Sequence, residues 1–70
     1  MPLSMVGTGK KFTIQKIKGK DETIRHLENL GFVEGTCAEI ISESEGNLII
    51  NIKGSRVALG RDLANKIMVS

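Results

Sequence analysis

Residues 24–36 decide the fold, and they read Ile-Arg-His-Leu-Glu-Asn-Leu-Gly-Phe-Val-Glu-Gly-Thr. Apolar side chains recur at every third position in the first half of this stretch, at Ile24, Leu27 and Leu30. Residues at that spacing fall within one arc of an α-helix, and the acidic pair just before them favours a helix amino end. The sequence therefore predicts one short amphipathic helix that packs its apolar arc against the rest of the chain.

Two glycines in the second half of this stretch reverse the direction of the chain. Gly31 stands where a left-handed helix cap needs a residue without a Cβ atom, and Phe32 stands where such caps make a hydrophobic contact. Gly35 occupies the position of a tight turn that requires a positive φ angle. We therefore expect the helix to end at Gly31 and a turn at Gly35 to lead into a strand.

The remaining sequence has the pattern of short β-strands. Alternation of apolar and polar residues, together with β-branched content, predicts strands at residues 11–17, 37–43, 48–53, 56–59 and 67–69. In the first of these, Phe12 and Ile14 alternate with polar residues, but Ile17 falls out of phase. A change of phase inside a strand predicts a bulge, which we place near Lys16.

Five short strands and one helix favour a small, partly open five-stranded barrel, because 70 residues cannot fill the core of a two-sheet sandwich. We expect hairpin turns at 44–47 and 54–55, at most one helical turn at 61–65, and a loose start at 1–4. The predicted core consists of the apolar residues that face inward from these elements: Phe12, Ile14, Leu27, Leu30, Ile40, Ile50, Ile52, Val57, Leu59, Ile67 and Val69.

The charges of the chain come in blocks. Ten basic and eight acidic residues give a net charge of +2, which is too small to indicate nucleic-acid binding by itself. Residues 1–20 contain five lysines and no acid, whereas residues 21–45 contain seven acids and Arg25 alone among bases. The blocks form either a bipolar surface that steers a partner or a basic first strand compensated by an acidic second strand, and we favour the second interpretation.

Length and cysteine content restrict the class of protein. The chain is expected to form a single domain over residues 1–70, and its one cysteine, Cys37, cannot form an internal disulfide. We find no signal peptide and no apolar run of the roughly 20 residues that a membrane span requires. The sequence therefore predicts a soluble cytoplasmic protein that does not insert into the membrane.

Few residues are candidates for chemistry. His26 and Cys37 are the only histidine and cysteine, and they belong to no Cys-x-x-Cys or His-x-x-x-His pair. They remain weak metal-ligand candidates, and we expect His26 to be a solvated helix residue and Cys37 a small core residue. The sequence supplies no orienting group or oxyanion pocket for a catalytic pair, so we predict no enzymatic activity, no cofactor and no catalytic residue.

The order and spacing of three segments resemble the ferrous iron transport protein A family, FeoA. The matching positions are Leu27-x-x-Leu30-Gly31-Phe32-x-x-Gly35-Thr36, Gly46-x-Leu48-x-Ile50 and Val57-Ala58-Leu59-x-Arg61-x-x-Ala64-x-x-Ile67-x-Val69. Two departures from the family pattern are Glu34, where a proline is often found, and the additional thiol of Cys37. The match covers almost the whole chain.

This resemblance implies an SH3-like barrel and a function in ferrous iron uptake. The implied partner is the cytoplasmic part of the membrane iron transporter FeoB, to which the chain would be a non-enzymatic accessory. A similar barrel forms the C-terminal part of the iron-dependent repressors of the DtxR type. A metal-responsive module is therefore an alternative function. A nucleic-acid-binding small barrel is a further alternative, although only two aromatic residues are present and both are better placed in the core.

The predicted contact surface for the transporter is the polar face of the helix and the turn that follows it. It mixes one apolar residue with charged and polar ones, as modest reversible interfaces do. Its members are Arg25, His26, Glu28, Asn29, Val33 and Glu34. The sequence does not determine the oligomeric state.

Overall fold

A computed structural model describes residues 1–70, and it contains five β-strands, two α-helices and one 3-10 turn. The strands are β1 (Lys11–Ile17), β2 (Cys37–Ser44), β3 (Asn47–Ile52), β4 (Ser55–Gly60) and β5 (Ile67–Val69). The helices are α1 (Asp21–Asn29) and α2 (Arg61–Ala64), and the 3-10 turn is Leu3–Met5. The mainly β fold with one short helix is confirmed, and α2 is the single helical turn that the sequence predicts.

The five strands form one antiparallel sheet in the order β4-β3-β2-β1-β5. β4 and β5 are its edges, so the sheet is open, as predicted. The basic β1 lies beside the acidic β2, with Lys11 opposite Glu39. This register confirms that the first two strands are neighbours and places one lysine of the basic block opposite one acid of the acidic block.

Two bulges bend the sheet. The register of β1 against β5 shifts between Ile14 and Lys16, which confirms the bulge predicted from the change of phase. Because of this extra residue, Ile17 returns to the buried side, where it is 8% exposed. A second register shift lies between Ile40 and Ser42 of β2, and the sequence analysis did not predict it.

The two hairpin turns each consist of two residues with positive φ angles. Glu45 and Gly46 have φ angles of 50° and 81°, and Lys53 and Gly54 have φ angles of 51° and 78°. Two consecutive positive φ angles are typical of type I′ turns, which match the twist of the flanking strands. The second turn is one residue earlier than the predicted 54–55, because Ser55 already pairs with Ile52.

The end of α1 is a Schellman cap built on Gly31. The amide of Gly31 donates to the carbonyl of Glu28 at 2.9 Å, and the amide of Phe32 donates to the carbonyl of Leu27 at 3.0 Å. Gly31 has a φ angle of 105°, which a side chain with a Cβ atom disfavours. Phe32 and Leu27 are both fully buried. The predicted helix end and its hydrophobic contact are therefore confirmed.

The buried side chains form one hydrophobic cluster that contains no polar residue. Most of the predicted core is correct, but Leu30 and Val57 are half-buried and pack against the cluster from its border. Leu30 caps the last turn, where it shares the apolar arc with the fully buried Leu27. The cluster also includes Phe32, which the sequence analysis assigned to the core as an aromatic residue, and residues that it omitted: Leu3, Ile17, Ala38, Leu48 and Ala64.

The prediction of a loose start at residues 1–4 is wrong. Pro2 forms a β-bridge with Met68, and the terminal amino group of Met1 donates to the carbonyl of Val69 at 3.0 Å. Leu3 follows this bridge into the core and is fully buried. The first residues thus extend the sheet beyond β5 and cover its edge.

Candidate functional site

A groove of about 260 Å³ lies between α1, the turn after it and the end of β1. It is lined by Ile17, Ile24, Glu28, Val33 and Glu34, and we refer to these five residues as the helix groove. Ile24 is half-buried, and Val33 is 37% exposed. The helix groove therefore has apolar walls that are open to solvent.

The backbone holds both sides of the helix groove in place. On α1, Ile24 and Glu28 are four residues apart and so lie on the same face of the helix. On the turn, the amide of Val33 donates to the carbonyl of Gly31 at 3.0 Å. The amide of Gly35 donates to the carbonyl of Ile14 at 2.7 Å, which ties the turn to β1. The positions of the groove residues are thus fixed by main-chain hydrogen bonds.

The helix groove has two carboxylates in its lining that form no ion pair with a basic side chain. Glu28 and Glu34 are exposed, and neither forms an ion pair. The ion pair of the chain joins Arg61 of α2 to Glu43 of β2. The groove is therefore an apolar cleft whose lining includes two carboxylates without an ion-pair partner.

The structure brings together half of the predicted contact surface. Glu28, Val33 and Glu34 line the helix groove, whereas Arg25, His26 and Asn29 are exposed on α1 outside it. His26 is thus a solvated helix residue, as predicted. The surface prediction omitted two groove residues, Ile17 and Ile24. The signal for Ile17 was its change of phase in β1, but no local pattern indicated that it would line a groove together with residues of α1.

A second cleft, of about 310 Å³, lies on the strands β1, β2 and β3. We refer to it as the strand cleft, and its lining is mainly polar: Lys11, Cys37, Ala38, Glu39, Asn51, Lys53 and Gly54. Lys11, one of the five lysines of residues 1–20, lies opposite Glu39 in this cleft.

The prediction that Cys37 is a small core residue is wrong, because its side chain is exposed. Ala38 and Ile40 point inward from β2, so the alternation of the strand turns Cys37 outward into the strand cleft. Its Sγ atom lies 3.3 Å from Oγ1 of Thr13, a hydrogen-bonding distance for a thiol.

The metal-ligand candidates do not meet other ligand types. The structure contains no group of three or more His, Cys, Asp or Glu side chains that could hold a metal ion. His26 on α1 and Cys37 on β2 therefore belong to no such cluster.

Neither helix is long and apolar enough to cross a lipid bilayer. The longer of the two, α1, has nine residues.

The single antiparallel sheet, its short helices and its surface groove define a small SH3-like β-domain. A family model described as the FeoA domain matches residues 1–70. The chain therefore belongs to the FeoA family, as the sequence resemblance indicated.

Similar proteins agree with this assignment. A protein of Methanocaldococcus jannaschii named Fe(2+) transport protein A is 35% identical over 68 residues, which cover 97% of this chain and 83% of the relative. The crystal structure of an iron uptake regulatory protein, FeoA, is also 35% identical and has a TM-score of 0.90. That match covers 99% of this chain and 92% of the other.

More distant structures share the fold. The FeoA protein of Stenotrophomonas maltophilia, described as an SH3 domain protein and complexed with zinc, is 22% identical with a TM-score of 0.86, covering 100% of this chain and 89% of that one. A manganese-dependent transcriptional repressor is 18% identical with the same TM-score of 0.86, but the match covers only 39% of the repressor and 96% of this chain. The SH3-like domain is thus shared between FeoA proteins and part of a larger repressor.

Proposed function

We propose that this chain is a small accessory protein of ferrous iron uptake that binds the cytoplasmic part of a FeoB-type membrane transporter and catalyses no reaction. Family membership and the 35% identity to a protein named Fe(2+) transport protein A support the role in iron transport. The proposed contact surface comprises the helix groove and the exposed face of α1 that adjoins it.

The exposure of Val33 is the observation that carries the choice of surface. Val33, Met1 and Met5 are the large hydrophobic residues that are exposed, and Val33 is the one that lies in a groove. Glu28 and Glu34 line the same groove, and Arg25, His26 and Asn29 are exposed on α1 outside it. An apolar centre with a polar and charged rim is the usual composition of a protein interface.

The cytoplasm is the proposed location, because the proposed partner surface of the transporter lies there. The exposed thiol of Cys37 is consistent with that compartment, since a reducing environment keeps single cysteines free. The chain would act at the membrane through the transporter and not by inserting into lipid.

Binding to a purified cytoplasmic fragment of the transporter tests this proposal. We expect Val33→Asp, which places a charge in the apolar centre, to weaken binding by about tenfold or more, and Arg25→Glu to change it less. Met5→Asp and Arg56→Glu are matched controls, because both residues are exposed outside this surface. If the two test variants fold and bind as tightly as the wild type, the contact surface is elsewhere.

A metal-responsive module is the second candidate function, and the fold shared with a manganese-dependent repressor favours it. In this alternative, metal binding to the domain would change its affinity for a protein or nucleic-acid partner. Titration with Fe²⁺, Mn²⁺ and Zn²⁺, followed by calorimetry, distinguishes the candidates. Stoichiometric metal binding that His26→Ala or Cys37→Ser abolishes would support the metal-responsive module. The accessory role predicts no metal binding that depends on these two residues.

A further inference from the structure

The size and lining of the helix groove restrict what it can bind. Its volume of about 260 Å³ lies below the roughly 300–1,000 Å³ of pockets that enclose whole small molecules. The walls formed by Ile17, Ile24 and Val33 suit an apolar side chain. A groove of this size and composition fits one large side chain of a peptide better than a metabolite.

The charge of the helix groove favours basic residues next to that apolar side chain in a bound peptide. Glu28 lies on the α1 side and Glu34 on the turn side, and both carboxylates are exposed without an ion pair. Arg25 is three residues before Glu28 on α1, yet the two do not form an ion pair. The groove therefore presents two negative charges that a basic segment would neutralise.

We propose that the helix groove binds a short segment of the transporter in which an apolar side chain lies next to lysine or arginine. This inference rests on the proposed function, because it names the part of the partner that the same surface recognises. Cytoplasmic segments beside membrane spans carry an excess of lysine and arginine, and they adjoin apolar sequence. A juxtamembrane cytoplasmic segment of the transporter thus has both features that the groove requires.

Each feature has a separate effect on binding. The apolar side chain would be removed from water against Ile24 and Val33, which supplies affinity. The ion pairs with Glu28 and Glu34 would be exposed, so each contributes little affinity but accelerates association and orients the segment. Binding is therefore expected to weaken as salt concentration rises.

Full-length transporter in nanodiscs of uncharged lipid is the probe for this inference, with the dissociation constant measured at low and high salt. We expect Glu28→Lys and Glu34→Lys each to weaken binding by about fivefold at low salt, and the loss to shrink at high salt. Val33→Thr keeps the shape of the side chain and should also weaken binding, at both salt concentrations.

Glu45→Lys is the matched control, because it changes net charge by the same amount at a site outside the helix groove. Lysine is compatible with that site, since Lys53 has a φ angle of 51° in the second hairpin turn and Glu45 has 50° in the first. We expect this variant to bind within about twofold of the wild type. Thermal unfolding of each variant confirms that it is folded.

The outcomes separate this inference from the proposed function. Wild-type binding that Glu28→Lys and Glu34→Lys leave unchanged or strengthen overturns the basic segment but keeps the transporter as partner. Equal losses from Glu45→Lys and the groove variants also overturn it, because net charge alone would then explain them. Wild-type protein that does not bind the transporter overturns the proposed function and this inference together, and so does equal binding to nanodiscs without transporter.

Discussion

The helix groove and the strand cleft are similar in size but opposite in composition. Their volumes are about 260 and 310 Å³, respectively. The smaller helix groove combines apolar walls with two unpaired carboxylates, whereas the strand cleft contains Lys11, Lys53 and Glu39. In the strand cleft, the sheet register places opposite charges on neighbouring strands, and no large aliphatic side chain lines it.

The two clefts differ too little in size for volume to decide between them as candidate contact surfaces. A cleft that carries charges of both signs gains little from a charged partner, because attraction to one sign is offset by repulsion from the other. An exposed apolar side chain and unpaired charges of one sign are both more favourable when a complementary partner covers them. The helix groove is thus the better candidate, although it is smaller.

The largest expected effect concerns the residue that anchors the wall of the helix groove. Leu27 of α1 is fully buried. We expect Leu27→Ala to lower the free energy of unfolding by about 2–5 kcal/mol. Leu30→Ala should cost markedly less, because Leu30 is only half-buried. Thermal unfolding measures both, at about 4–8 °C per kcal/mol for a domain of this size. Equal losses for the two variants would contradict the helix orientation described here.

A smaller effect is expected at the cap that sets the turn of the helix groove. Gly31→Ala should destabilise the protein by about 1 kcal/mol or more, because a Cβ atom disfavours a φ angle of 105°. The nearest side-chain atoms, on Ile52, are 3.8 Å from an added Cβ, so backbone strain and not a clash is the cause. Gly7→Ala is the control, since Gly7 has no positive φ angle. Denaturant unfolding measures the stability of both variants. A Gly7→Ala variant that is less stable than Gly31→Ala would contradict the left-handed cap at Gly31.

The smallest effect is expected in the strand cleft, at Cys37. Because its side chain is exposed, Cys37→Ser should change the free energy of unfolding by less than about 0.5 kcal/mol. The thiol should also react with a thiol reagent in the folded protein at neutral pH without denaturant. A thiol that reacts only after unfolding would show that Cys37 is buried, as the sequence analysis first predicted.

Local signals explain why much of the fold could be predicted. The cap at Gly31 and Phe32 depends on residues within one turn of helix, and the bulge near Lys16 appears as a change of phase inside one strand. The exposure of Cys37 could also have been found, because inward-facing Ala38 and Ile40 fix the side of β2 on which it lies.

Long-range packing explains what could not be predicted. Leu3 is buried because Pro2 pairs with Met68, and no local pattern connects residues so far apart in the chain. The helix groove presents the same problem. Glu28, Val33 and Glu34 were predicted from the helix and its turn, but Ile17 joins them only because the turn is tied to β1, where the amide of Gly35 donates to the carbonyl of Ile14.

The most direct test of the helix groove as the contact surface is a nuclear magnetic resonance titration. Isotope-labelled protein is titrated with the unlabelled cytoplasmic part of the transporter, and amide shifts are followed residue by residue. We predict that the largest changes fall on Ile24, Glu28, Val33 and Glu34, with the strand cleft little affected. Changes concentrated instead at Lys11, Cys37 and Lys53 would contradict the assignment and place the contact on the strand cleft.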